Sequence, residues 1–278
     1  MTWFVLGIAA GVMVGYMAML LFRPTKLKFV VTCEYWVYLP LEKAPPQDEV
    51  MSRMIRDNSY TVNGLPAIGA REGLVFSDIR LHSALVLRSK NPHVFRPDLF
   101  DAHVEPTAED LAMLSESKAL QKIRFISEEP LKDDRHLQFL PHMALAVAEI
   151  AGASIIFDTV GERLIHTSWL REEMEKNGDA TRADLHLRVI WKSVGGEGIA
   201  ETRGLLKIGL PEIVTEPASA DQRVLLTALL ESAATQVWEA RSMPLKVFVE
   251  AYQDMFELQL TPAGKGPYKA RIFRAQTT

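Results

Sequence analysis

The chain has 278 residues, with 31 Lys and Arg against 35 Asp and Glu and a formal net charge of −4. No basic stripe or aromatic–basic cluster accompanies that balance, which excludes a nucleic-acid footprint; a single cysteine, Cys33, excludes a disulfide framework within one chain. Nothing is low in complexity and no repeat of fixed period occurs, so solenoids and arrays are excluded as well.

The first predicted element is an apolar run. From Trp3 to Phe22 no residue is charged, and at about 1.5 Å of rise each these twenty positions span roughly the 30 Å hydrocarbon thickness of a bilayer. A cleavable signal peptide would carry a basic start, a shorter apolar stretch and a small-x-small cleavage site. Here no Lys or Arg precedes the run, and only "YMA" stands where the site should be. A buried core helix would keep a few polar residues, whereas this run has only Thr2 and Tyr16 near its ends. The reading is an uncleaved single-pass transmembrane helix over 3–22, with the lipid bilayer as its partner. Gly7, Gly11 and Gly15 form G-x-x-x-G-x-x-x-G, a stripe that lets a second helix approach closely, either from another copy or from a different membrane protein. Glycine is also simply common in membrane helices, which is the competing explanation. Arg23, Lys26 and Lys28 follow the run directly, so the positive-inside rule places the remainder in the cytoplasm, and the lone cysteine agrees. Residues 1–26 are then an anchor with a basic flank, and 27–278 a soluble domain.

Within that domain "LKFVVTCEYWVYLPL" alternates with both faces apolar, Val31, Cys33, Tyr35 and Val37 on one and Val30, Trp36 and Tyr38 on the other, as in a central strand. After "APPQ", "DEVMSRMIRD" reads as a short helix with Asp48 and Glu49 in its first turn. "GLVFSDIRLHSALVLRS" reads as a strand or bent pair around His82. "NPHVFRPDLFDAHVEP" has no clear period, so residues 91–106 are the candidate boundary if there are two subdomains. Next come a helix capped by Thr107 with Asp110 in the capping-box position, and a strand at "KIRFIS". A helix ending near Gly152 leads to a buried strand from Ser154 to Phe157, and "TSWLREEMEKNG" forms a helix closed by Gly178. Two alternating runs meet at "GGEG" as a hairpin. The helix in "SADQRVLLTALLESAATQVWEA" has Ser219 and Gln222 as a capping box and Val224, Leu225, Ala228, Leu229 and Ser232 at helical spacing; at least two strands close the chain. Strands and helices mix without a regular β-α-β beat, so the fold class is α+β with a mainly antiparallel mixed sheet and packed helices, α/β being the alternative.

No element carries a recognisable catalytic motif: there is no G-x-S-x-G, Walker loop, G-x-G-x-x-G after a strand, or H-E-x-x-H. "VGGEG" precedes no helix N-terminus and reads as a turn rather than a phosphate loop. His136 and His142 stand six apart, about 600° around a helix, and Pro141 disrupts the segment, so no metal site and no cofactor are expected. The catalytic candidates that remain are Asp158 and His166, near each other in the chain, with His186.

One stretch carries a resemblance. "TRGLLKIGLPEI", with Thr202, Gly204, Leu205, Gly209, Pro211, Glu212 and Ile213, resembles the pattern near the middle of an uncharacterised bacterial domain family, and "HMALAVAEIAGASIIFD" is similar to that family's small-residue helix and following strand. The resemblance covers about a third of the soluble part and implies a fold and a bacterial setting, without an activity or a site. Two functions follow for testing. The preferred one is a membrane-tethered scaffold or interaction protein of unknown biochemical activity, the absence of a catalytic motif leaning away from an enzyme. The alternative is a membrane-anchored hydrolase with a non-contiguous acid–base site at Asp158, His166 and His186.

Overall fold

Alternation makes β1 (Val31–Leu39) the centre of the first sheet: Cys33, Tyr35 and Val37 are buried on one face, and Tyr38 on the other. The computed structural model describes residues 30–56, 61–62, 65–66, 78–96, 100, 104–194, 196–264 and 266–275. The transmembrane reading of 3–22, the glycines Gly7, Gly11 and Gly15 and the flanking Arg23, Lys26 and Lys28 lie outside the described residues. Among the described residues no helix is long and apolar enough to cross a membrane.

In chain order the remaining elements are α1 (Gln47–Arg56), β2 (Thr61–Val62), β3 (Leu65–Pro66), β4 (Leu81–Leu87), α2 (Ala108–Glu116), β5 (Ala119–Ser127), α3 (Arg135–Ala151), β6 (Ile155–Asp158), β7 (Arg163–His166), α4 (Thr167–Lys176) and α5 (Ala183–His186). There follow β8 (Arg188–Val194), β9 (Glu197–Arg203), β10 (Ile213–Thr215), β11 (Ala218–Ser219), α6 (Arg223–Ala240), β12 (Lys246–Ala251), β13 (Asp254–Pro262) and β14 (Tyr268–Arg274). The first sheet has the order β4-β5-β1-β6-β7, every neighbouring pair antiparallel. The second has the order β11-β9-β10-β14-β13-β12, with β8 on the other side of β9, and only β10 and β14 run parallel. The protein is therefore α+β with mainly antiparallel sheets and packed helices.

Helix α3 is the pivot of the packing. Phe139, Leu140, Met143, Ala144 and Val147 lie on β1 and β5 within the first core, while Leu137 belongs to the second core with Leu229, Leu230, Ala233 and Val237 of α6. Burial from His136 to Ala148 explains why the helix runs unbroken through Pro141. The sequence reading expected disruption there, but burial on several sides outweighs an interior-proline penalty of about 3 kcal/mol. Gly152 takes a left-handed conformation (φ 67°) and its N–H closes on the Ala148 and Glu149 carbonyls, which ends α3 where expected.

Other local expectations are met or corrected. Thr107 accepts from the Asp110 N–H at 3.1 Å while Asp110 accepts from the Thr107 N–H at 2.8 Å, a complete capping box. Ser219 makes no such bond: a 3-10 turn at Ala220–Gln222 precedes α6. The buried stripe of α6 is accordingly Leu226, Leu229, Leu230, Ala233, Ala234, Val237 and Trp238, with Val224 exposed. Helix α4 stops at Lys176, before Gly178. β4 and β5, on either side of 91–106 in the chain, pair within the first sheet; strands change sheet between β7 and β8.

Candidate functional site

Between β9 and β10 the chain makes a 3-10 turn, Leu205–Ile208, flanked by Gly204 (φ 116°) and Gly209 (φ 77°). The positive φ values there call for glycine, and a Cβ on Gly204 would lie 2.2 Å from the His186 carbonyl oxygen. Glu212 holds the turn from beneath. One carboxylate oxygen accepts from the Gly204 N–H (2.9 Å) and the Leu206 N–H (3.3 Å), and the other accepts from Thr202 Oγ1 (2.7 Å), which itself accepts from the Ile213 N–H (2.8 Å). Burial nevertheless pushes the Glu212 carboxyl up to about 7, because desolvation outweighs these donors.

The turn's purpose is to aim Lys207 into the first sheet. Its ammonium donates to Asp158 Oδ2 at 2.6 Å, lies 3.3 Å from His186 Nδ1 and 3.4 Å from the Tyr35 hydroxyl, and all four side chains are buried, Lys207 and Asp158 at 0 % exposure. Each side chain comes from a separate segment: β1, the end of β6, α5 and the turn. Asp158 is completed by the Gly161 N–H at 3.0 Å and by Arg163 Nε at 4.0 Å. A Cβ at Gly161 would meet Asp158 Oδ2 at 2.5 Å, so a side chain there would push the carboxylate from its place beside Lys207.

Electrostatics fix the protonation pattern. His186 places Nε2 2.6 Å from the Ala180 carbonyl, so Nε2 carries the proton and Nδ1 is the acceptor facing Lys207 and Tyr35. Burial, then the Lys207 charge, holds the imidazole pKa well below its ordinary value, so the ring is neutral. It stacks on Trp238 of α6 at 5.2 Å between ring centres. His136, on α3, donates through Nε2 to the Lys207 carbonyl at 2.7 Å and stacks on Phe125; its pKa is lowered to about 4 by burial.

Of the three catalytic candidates, Asp158 and His186 thus converge on Lys207. His166 does not: its Nε2 lies 2.9 Å from Asp110 Oδ1, beside the cap of α2. No acid–base site joins the three. Lysine, aspartate, tyrosine and histidine are residue types that acid–base chemistry uses, but here no member reaches solvent, and the charges neutralise one another. The cluster acts as an interlock between the sheets. Lys207 was the residue missed; its one signal in the sequence is a lone cation among apolar neighbours, "GLLKIG", with glycines on either side. Among the described residues no group of three His, Cys, Asp or Glu is placed to hold a metal ion.

An open cleft of about 480 Å³ lies between α5, β8 and α6. Its floor is Leu187, Val189 and Ala234 and its rim carries Arg188, Glu231 and Glu239. Arg188 donates to the Glu162 carbonyl at 2.8 Å, and burial raises the Glu231 carboxyl above its ordinary value. Comparison with protein-family models, curated proteins and solved structures finds no match.

Proposed function

We propose that the protein is a membrane-tethered interaction protein, with residues 3–22 as a single-pass anchor and the α+β body in the cytoplasm. The observation that carries this reading is the uncharged run Trp3–Phe22, followed at once by Arg23, Lys26 and Lys28. β1 begins at Val31, nine residues after Phe22, a reach of about 30 Å at full extension, so the body would stay close to the bilayer surface. The glycines Gly7, Gly11 and Gly15 favour association in the membrane with a second copy or another membrane protein. Closure of the Tyr35, Asp158, His186 and Lys207 cluster counts against hydrolysis at those residues. The cleft between α5, β8 and α6 offers a partner an apolar floor with a rim of mixed charge. The resemblance of "TRGLLKIGLPEI" to a bacterial domain family fits a bacterial setting and adds no activity.

The test is topology and extraction together. Activity reporters joined after Lys28 and at the C-terminus should both read cytoplasmic, and the full chain should resist alkaline carbonate extraction. Release of the chain into the supernatant would overturn the anchor, and an exported C-terminus would overturn the orientation.

A further inference from the structure

β12 is the outermost strand of the second sheet, and among the described residues no strand pairs with its free edge. The Leu260 N–H bonds to the Leu245 carbonyl at 2.8 Å, and the register pairs Val247 with Leu258 and Val249 with Phe256. By antiparallel alternation the main-chain groups of Val247 and Val249 therefore turn toward β13, and those of Lys246, Phe248 and Glu250 turn outward. Side chains alternate in the perpendicular sense. Val247 and Val249 are buried, whereas Lys246, Phe248 and Glu250 all stand on the exposed face, Phe248 at 54 % exposure. Phe273, two strands inward across Glu257, is exposed on the same face.

We propose that β12 pairs antiparallel with β12 of a second copy, about a two-fold axis through Phe248. Charge selects this register. Centring on Lys246 would oppose Lys to Lys, and centring on Glu250 would oppose Glu to Glu. The intermediate registers set Lys246 or Glu250 opposite Phe248. Centring on Phe248 alone places Lys246 opposite the partner's Glu250 and Glu250 opposite the partner's Lys246, with the two phenylalanines in contact between them. Opposite charges directly across a ladder stabilise it and like charges weaken it. The outward N–H and C=O groups of residues 246, 248 and 250 then bond in pairs, which is the ordinary fate of an uncovered edge. Gln236 of α6 already donates to the Phe248 carbonyl at 2.9 Å; that oxygen has a second lone pair for the partner strand. The pairing stands whether or not residues 3–22 span a bilayer.

Disulfide trapping of the full chain in mild detergent tests it, because the native Cys33 is buried at 0 % exposure and stays silent. Phe248→Cys should give a covalent dimer on mild oxidation, the paired Cα atoms being about 5.5 Å apart. Phe273→Cys, two strands from the edge, should not. In the Phe248→Cys background, Lys246→Glu should reduce trapping roughly fivefold or more, and Lys246→Glu with Glu250→Lys should restore it. Glu257, which pairs with Lys246 at 2.7 Å, meets the same glutamate in both charge variants, so its effect cancels. Thermal unfolding of each variant confirms that the fold is kept. Equal trapping at 248 and 273, or a double exchange that fails to restore trapping, overturns the proposal.

Discussion

Replacing Lys207 by methionine keeps the length of the side chain and removes its charge, leaving Asp158 at 0 % exposure without its 2.6 Å partner. What remains to Asp158 is one backbone donor, Gly161, and the Arg163 guanidinium at 4.0 Å. Breaking a buried pair in this way costs about 3–5 kcal/mol, since the surviving charge is stranded. In a body of this size that corresponds to a fall in Tm of about 6–20 °C. Urea unfolding of the full chain followed by tryptophan fluorescence is a suitable assay, because Trp238 stacks on His186 inside the same cluster. The decisive comparison is the double variant Lys207→Met with Asp158→Leu. With both charges gone no ion is stranded, and the double variant should be more stable than either single one. A single-variant cost below about 1 kcal/mol, or a double variant that costs the sum of the singles, would refute the interlock.

Acid should destabilise the fold in a defined window. Burial lowers His136 from 6.5 to about 4 and His142 to about 3, and holds His186 well below its ordinary value, so unfolding below pH 6.5 takes up protons at all three. Glu212, raised from 4.5 to about 7, releases one instead and opposes them. The net uptake near pH ~5.5 is about two protons, so stability should fall by on the order of 2–3 kcal/mol per pH unit of acidification there; a flat urea midpoint between those limits would contradict the assignment. Gly204→Ala should destabilise by at least about 2 kcal/mol, since it combines φ 116° with a Cβ placed 2.2 Å from the His186 carbonyl oxygen; a Tm unchanged by this substitution would show that the turn can shift freely. Thr107→Ala should cost about 1 kcal/mol by opening the α2 capping box, measured by urea unfolding, and a neutral result would place that helix start outside the cooperative unit.

What could be read in advance was whatever depends on neighbours along the chain. β1, the Thr107 cap, the Gly152 stop and the "GGEG" hairpin each declare themselves through alternation, a capping spacing or a glycine. The α6 start was misread because Ser219 and Gln222 have the spacing of a cap, whereas the chain there first makes a 3-10 turn that leaves the serine side chain unbonded. The tertiary environment of α3 decided the fate of Pro141, which no local rule contains. For the cluster, the sequence offered Asp158 and His186 but not their meeting point. Lys207 is separated from Asp158 by 49 positions and from Tyr35 by 172, so only the sheet topology joins them. His166 was drawn in by its nearness to Asp158 in the chain, while its actual neighbour, Asp110, lies in another segment.

The lysine interlock also bears on the order in which the chain can mature during synthesis. Segments emerge from the ribosome N-terminus first, and a domain ordinarily folds as soon as it is out. Here the strands of the first sheet, β1 and β4 to β7, are complete by His166, yet Asp158 must wait for a lysine 49 residues behind it. Until that turn arrives Asp158 has only the Gly161 N–H and the Arg163 guanidinium as partners for its side chain. The contact that locks the two sheets together can therefore form only once the chain has been made as far as the turn between β9 and β10.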